Sequence, residues 1–153
     1  MEIRNLVDVP EVVPMLAEAF AEEWPDYARE VGREAIVERF RECLRQDALP
    51  LTLVALEGPE VVGTVGLRWD SIRSRPALGP WLAAFYVVPR LRGRGVGAHL
   101  AREAERAART LGLAEIYAGT STARTLFERL GWRRHEDLDY AGEPLTIYHK
   151  VMR

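Results

Sequence analysis

Residues 81–118, WLAAFYVVPRLRGRGVGAHLAREAERAARTLGLAEIYA, limit most what this chain can fold into. The stretch opens with WLAAFYVV, too apolar to face water on either side. Such a strand belongs inside a sheet covered on both faces. A helix follows from about Gly95 to Leu111. Val96, Leu100, Ala104, Ala107 and Leu111 recur on its inner face, and Arg102, Glu103, Glu105, Arg106 and Arg109 on its wet face. Gly112 stops it, and AEIYAG resumes as a strand. A strand, helix and strand in that order close as a right-handed parallel crossover.

Between strand and helix stands PRLRGRGVGAHL, with arginine and glycine interleaved from Arg90 to Gly97. A flexible surface turn is one reading of it. An anion grip is the other. A helix N-terminus has unpaired N–H groups and a partial positive charge. Glycines let a phosphate approach those groups without interference from Cβ atoms, and Arg92 and Arg94 can add charge-assisted bonds. The position between a buried strand and a helix favours the grip. GRGVGA also satisfies G-x-G-x-x-G/A, the dinucleotide pattern. That reading lacks an Asp or Glu at the end of AEIYAG, about 20 residues on, to hold a ribose. A nicotinamide-dependent oxidoreductase is therefore disfavoured.

Upstream, MEIRN is a first strand. Asp8 precedes VPEVVPMLAEAF as an acidic helix start with Pro10 in the first turn and Glu11 three residues on, and Val12, Leu16, Ala19 and Phe20 face inward. EEWPDYAREVG is a loop, since Pro25 disfavours helix at Trp24. A second helix from about Arg33 buries Ile36, Val37, Phe40 and Leu44, with Cys43 packed beside them. LPLTLVAL, the turn EGPE and VVGTVGLRW form a hairpin, and DSIRSRPALGP is a loop. Downstream, TSTARTLFERLGW is a short helix with Ala123, Leu126, Phe127 and Leu130 inward, ended by Gly131. Two strands around a Gly142–Pro144 turn finish the chain. The expectation is a single domain over residues 1–153 of α/β (α+β) class. It has one mixed sheet of six to seven strands flanked by about four helices.

Composition excludes several functions. The net charge of −2 gives no field that draws the chain to nucleic acid or a membrane surface. Cys43 is the one cysteine, which excludes an internal disulfide and a multi-cysteine zinc site. His99, His135 and His149 show no metal-ligand spacing, so no metal is expected. The N-terminus has no signal-peptide pattern and no run reaches transmembrane length, so a cytoplasmic protein is expected.

FYVVPRLRGRGVGAHL resembles the acetyl-coenzyme A motif of the GNAT-type N-acetyltransferases, whose core reads Gln/Arg-x-x-Gly-x-Gly/Ala after a strand ending in Val-x-Pro. ARTLFERLGW resembles the second motif of that family, and the order of elements matches along almost the whole chain. The resemblance implies splayed central strands at 81–88 and 114–118, with acetyl-coenzyme A as acetyl donor. Its diphosphate would lie on the amides of Arg94, Gly95, Val96, Gly97 and Ala98, with Arg92 and Gly93 at the entry. Its pantetheine arm would pair with Phe85, Tyr86 and Val87 like an added strand. The implied reaction is acetyl transfer to a primary amine of a small molecule or peptide, by direct attack in a ternary complex. Homodimers are common in the family.

Two departures bear on the chemistry. The family often places an acidic tyrosine where this chain has Phe127; Tyr86, Tyr117, Tyr140 or Tyr148 could substitute. WLAAF also lacks the glutamate many members use as base. Glu23, then Glu22, are the nearest substitutes, with Asp26 beside them, in a segment that usually lines the acceptor site; a solvated loop is their plain alternative. Trp24, Tyr27, Trp69 and Trp81 either wall that cleft or pack as core and rim, and Trp132 packs. An acidic, aromatic cleft would take a cationic amine, whereas Arg68, Arg73 and Arg75 would favour an acidic acceptor. A non-catalytic acetyl- or acyl-coenzyme A sensor is the alternative function.

Overall fold

The computed structural model describes residues 1–140 and 142–153. Its strands are β1 (Glu2–Asn5), β2 (Leu51–Glu57), β3 (Glu60–Arg68), β4 (Trp81–Val87), β5 (Glu115–Thr120), β6 (Arg133–Tyr140) and β7 (Glu143–Val151). Its helices are α1 (Val13–Glu23), α2 (Pro25–Val31), α3 (Arg33–Arg41), α4 (Val96–Thr110) and α5 (Arg124–Arg129). The strands form one sheet in the order β1-β2-β3-β4-β5-β7-β6, so the apolar strand β4 sits in the middle, as its composition requires. Among the described residues only β4 and β5 run parallel, joined by α4; the other pairings are antiparallel.

α4 and α5 cover one face, with Leu100, Ala104, Ala108 and Phe127 packed on Leu53, Leu67, Leu82, Ile116 and Tyr148. α1 and α3 cover the other over its first half, through Leu16, Phe20, Ile36 and Phe40. Loop 69–80 packs Ile72 and Leu78 against Trp81, Tyr117 and Ile147. Trp81 is fully buried and Cys43 nearly so, which settles both as packing residues.

The segment EEWPDYAREVG, expected as a loop, is helical on both sides of Trp24. α1 runs on to Glu23, and α2 restarts at Pro25. Proline does disturb the residue before it: Trp24 sits at φ −125°, ψ 70°. At the first helical position, however, proline loses only an N–H that needs no partner. Near the N-terminus the Asp8 cap does not form. Two 3₁₀ turns, Leu6–Asp8 and Pro10–Val12, precede α1. The register moves accordingly, and α1 buries Val13 and Ala17 in place of Ala19.

The α4 stop forms as the sequence predicts. Gly112 takes φ +75°, its N–H reaches the Arg109 carbonyl, and the Leu113 N–H reaches that of Ala108. This double closure ties up the free carbonyls of the last turn. A Cβ at Gly112 would meet nothing within 4 Å, so Gly112→Ala carries only the left-handed backbone penalty. The expected loss is about 1 kcal/mol, or a fall in Tm of about 2–4 °C, read by thermal unfolding.

Candidate active site

β4 and β5 pair at only two positions, Trp81↔Tyr117 and Leu82↔Ala118. Beyond Leu82 they part. The cause lies in β4, where Ala84 and Phe85 together oppose Val65 between the Thr64↔Tyr86 and Gly66↔Ala83 pairs. Such a bulge bends a strand. Ala84 stands at φ +51°, the one non-glycine residue with positive φ among the described residues. Local strain of this kind persists where the surrounding structure fixes it. The result is a V-shaped gap, in which β4 has no β5 partner from Ala83 to Val87.

The arginine–glycine loop lies at the mouth of that gap. Pro89–Leu91 makes one 3₁₀ turn, Gly93 and Gly95 take φ of +78° and +89°, and α4 begins at Val96 with no side-chain cap. The first capped amide is that of His99, bonded to the Gly95 carbonyl. Among the described residues, the amides from Gly93 to Ala98 donate to no protein acceptor. They stand at the positive end of a 15-residue helix. A Cβ on Gly97 would sit 3.4 Å from Phe85 and 3.5 Å from Leu126, so this glycine lets α4 start tight against β4 and α5. Open amides, positive-φ glycines and a half-paired strand are what an extended ligand with a phosphate group requires.

The three loop arginines differ. Arg90 pairs with Glu60 at 2.8 Å. Arg92 turns back: its Nε donates to the Val87 carbonyl at 2.9 Å, and its Nη2 to Glu23 at 2.7 Å. Its guanidinium carbon lies 5.7 Å from the Tyr86 ring centre. Arg94 is exposed and pairs with no carboxylate among the described residues, so it is the cation free to meet an anion.

Glu23 closes α1, and Trp24 follows, 40% exposed, with its ring 5.0 Å from Phe20 and 6.1 Å from Tyr86. Glu23, Trp24, Tyr86 and Arg92 therefore meet at one end of the gap, and Tyr27 is half-buried nearby against the α1–α3 packing. Burial pushes the Tyr86 phenol up, with the charge of Glu23 adding to it. Glu22 is exposed, and Asp26 pairs with Arg29. Trp69 is 60% exposed on its loop.

Phe127 is buried, stacked on Tyr148 and edge-on to Phe85 and Trp132. The Tyr148 hydroxyl donates to Glu128 at 2.5 Å, and burial raises its pKa. Tyr117 donates to Glu115, on the paired side of β5. Of the four tyrosines weighed as proton donors, Tyr86 is the one on the unpaired stretch of β4 beside the open amides. The arginines that could have favoured an acidic acceptor are mostly engaged. Arg68 lies 3.7 Å from Glu42, and Arg75 grips Glu136 with two bonds of 2.7 and 2.9 Å.

The Arg75–Glu136 fork fastens loop 69–80 to β6, and the bond from Arg75 holds the Glu136 carboxyl below its usual pKa. A lowered folded-state pKa adds stability above the unfolded value, which is lost as pH falls through the folded one. Glu136→Gln should thus unfold at lower temperature than the parent near pH 7. The gap should close below about pH 4, as followed by thermal unfolding across that range.

Residues 10–132 match the model of the acetyltransferase (GNAT) family, and the chain belongs to it. It is an acyltransferase, and its acetyl donor is acetyl-coenzyme A. No curated protein matches the chain. Among solved structures, an aminoglycoside 6′-N-acetyltransferase complexed with coenzyme A superposes with a TM-score of 0.80 at 18% identity, covering 100% of this chain and 98% of that one. An aminoglycoside 6′-acetyltransferase type Ii gives 0.78 at 20% identity, with the same coverage. A GNAT-family protein from Desulfovibrio desulfuricans gives 0.71 at 21% identity, covering 99% of each chain. These likenesses establish the fold, with seven strands inside the expected range. The fifth helix, α2, exceeds the expected four because Pro25 starts a helix. No helix among the described residues is long and apolar enough to cross a membrane.

Proposed function

We propose that residues 1–153 act as one N-acetyltransferase domain that acetylates a primary amine of a cationic small molecule or peptide. The observation that carries this is the run of open amides from Gly93 to Ala98 beside the unpaired edge of β4. Those amides, with Arg94, hold the donor diphosphate, and the backbone of Phe85–Val87 pairs with the pantetheine arm. When bound, acetyl-coenzyme A supplies a thioester whose carbonyl carbon the amine attacks, releasing a thiol. The Val87 region of β4 offers main-chain N–H groups to the carbonyl oxygen. Tyr86 is the proton donor nearest this stretch. Glu23, with Glu22 beside it, attracts the ammonium form of the acceptor and takes its proton, and Trp24 and Tyr27 give its carbon frame a wall. The aminoglycosides named for two of the structural neighbours are polycationic amines, and that chemistry suits this acidic, aromatic rim.

A thiol-release assay with acetyl-coenzyme A and a panel of aminoglycosides, polyamines and peptides tests the reading, run beside calorimetric titration of the donor. Thiol release with at least one cationic amine is expected. Tight donor binding with silence across the panel would instead support a coenzyme A sensor. Phe127 in the usual tyrosine position, and the absence of a carboxylate from Trp81–Val87, favour that second reading.

A further inference from the structure

Arg92 adjoins the open amides, yet its guanidinium is spent on the opposite side of the loop, on Val87 and Glu23. Glu23 itself is badly placed. It is the last residue of α1, where the helix dipole disfavours a carboxylate, Glu22 stands beside it, and no basic residue lies in that last turn. The cation that relieves it comes from the donor loop, 69 residues away. Arg92 and Glu23 keep side-chain exposures of 48% and 27%, and ion pairs of that kind are weak and reversible.

Two anions therefore claim one arginine: the Glu23 carboxylate on the acceptor side and the diphosphate that the adjoining amides would receive. We propose that Arg92 is a gate worked by the donor, resting on the assignment of that loop above. Without donor, Arg92 neutralises Glu23 and withholds that carboxylate from the acceptor, while the exposed Glu22 beside it has no ion-pair partner among the described residues. Donor binding on the amides of Gly93–Ala98 draws the guanidinium across and frees Glu23 for the ammonium of the acceptor. A Cβ on Gly93 would meet nothing within 4 Å, so the space beside Arg92 is open. Coupling of this sort is reciprocal, so a cationic acceptor must in turn tighten the donor.

Calorimetry with coenzyme A tests the gate without an acceptor. Glu23→Gln removes the charge that competes for Arg92, leaving only the neutral bond to the Val87 carbonyl and whatever the Gln oxygen accepts, and should tighten coenzyme A about two- to fivefold, the range such a pair supports. The same substitution made on Arg92→Ala should then have no effect. A general repulsion between Glu23 and the donor predicts the opposite, an effect that persists or grows without Arg92. A second readout is the Arg92 Nε–H resonance in nitrogen-15 NMR, which should move on saturation with coenzyme A in the parent and less so in Glu23→Gln. An unchanged affinity in Glu23→Gln, or an unmoved resonance at saturation, overturns the gate while the donor loop stands. Failure of the parent to bind coenzyme A removes the loop assignment and the gate with it.

Discussion

Gly95→Glu should weaken acetyl-coenzyme A binding about 100-fold, by two additive effects of similar size. Gly95 stands at φ +89° as the residue before α4. A side chain there meets left-handed strain of about 1–2 kcal/mol, relieved only by turning the amides of Gly93–Ala98 out of line. The new carboxylate also stands at the helix N-terminus that should receive a diphosphate. Like charges about 4 Å apart repel by about 1 kcal/mol in water and about 4 kcal/mol in a partly screened site. Taken near the lower figure, repulsion and strain together reach about 3 kcal/mol. A Cβ at this position meets nothing within 4 Å, so the variant should fold with only a small loss in Tm. Gly95→Ala separates the two causes: it keeps the strain, omits the charge, and should lose about tenfold or less. Titration by calorimetry decides the matter. A Gly95→Glu protein that binds within about threefold of the parent, against the roughly 100-fold expected from both effects, would remove the diphosphate from this loop.

The parts of this site readable in the sequence are those whose cause is local. An unbroken apolar strand must be central, and arginine–glycine alternation before an amphipathic helix must leave open amides. Both features lie within Trp81–Leu111. The parts that are not readable depend on distant partners or on residues with no signature. Ala84 makes the bulge that opens the gap, but alanine in an apolar strand looks like any other small residue. Pro25 reads as a breaker because the same ring ends one helix and starts the next. Glu23 and Arg92 meet across 69 residues, and no spacing rule joins them. Tyr148 stacks on Phe127 through the pairing of β5 with β7, a neighbour relation set by the sheet order rather than by chain order.

Glu105→Ala should lower stability by about 3 kcal/mol, near the lower end of what breaking a buried ion pair costs. The sequence places Glu105 on the wet face of α4, yet it is 3% exposed. The reason is the run of alanines around it. Ala101, Ala104 and Ala108 are all buried and small enough for the turn after α5 to close over the helix. Burial then demands partners. One carboxylate oxygen accepts from the Lys150 ammonium at 2.8 Å and from Arg109 at 3.4 Å, and the other from the Trp132 indole N–H at 3.2 Å. Lys150 also donates to the Leu130 carbonyl at 2.7 Å, which ties β7 and the end of α5 to the middle of α4. Removing the carboxylate strands an ammonium and an indole N–H together. Lys150 keeps 22% of its side chain exposed, so water recovers part of its solvation and holds the loss to the lower end of the range. For a chain of this length the fall in Tm is about 6–12 °C. Glu105→Gln, which keeps an acceptor for Trp132 but offers Lys150 no charge, should fall between. Glu105→Leu with Lys150→Met should recover part of the loss, because a packed apolar pair often equals a buried ionic one, while the Trp132 indole N–H still lacks its acceptor. Thermal unfolding of the four proteins distinguishes a central tie from an idle surface pair. A loss below about 1 kcal/mol in Glu105→Ala would place Glu105 among exposed pairs of small effect.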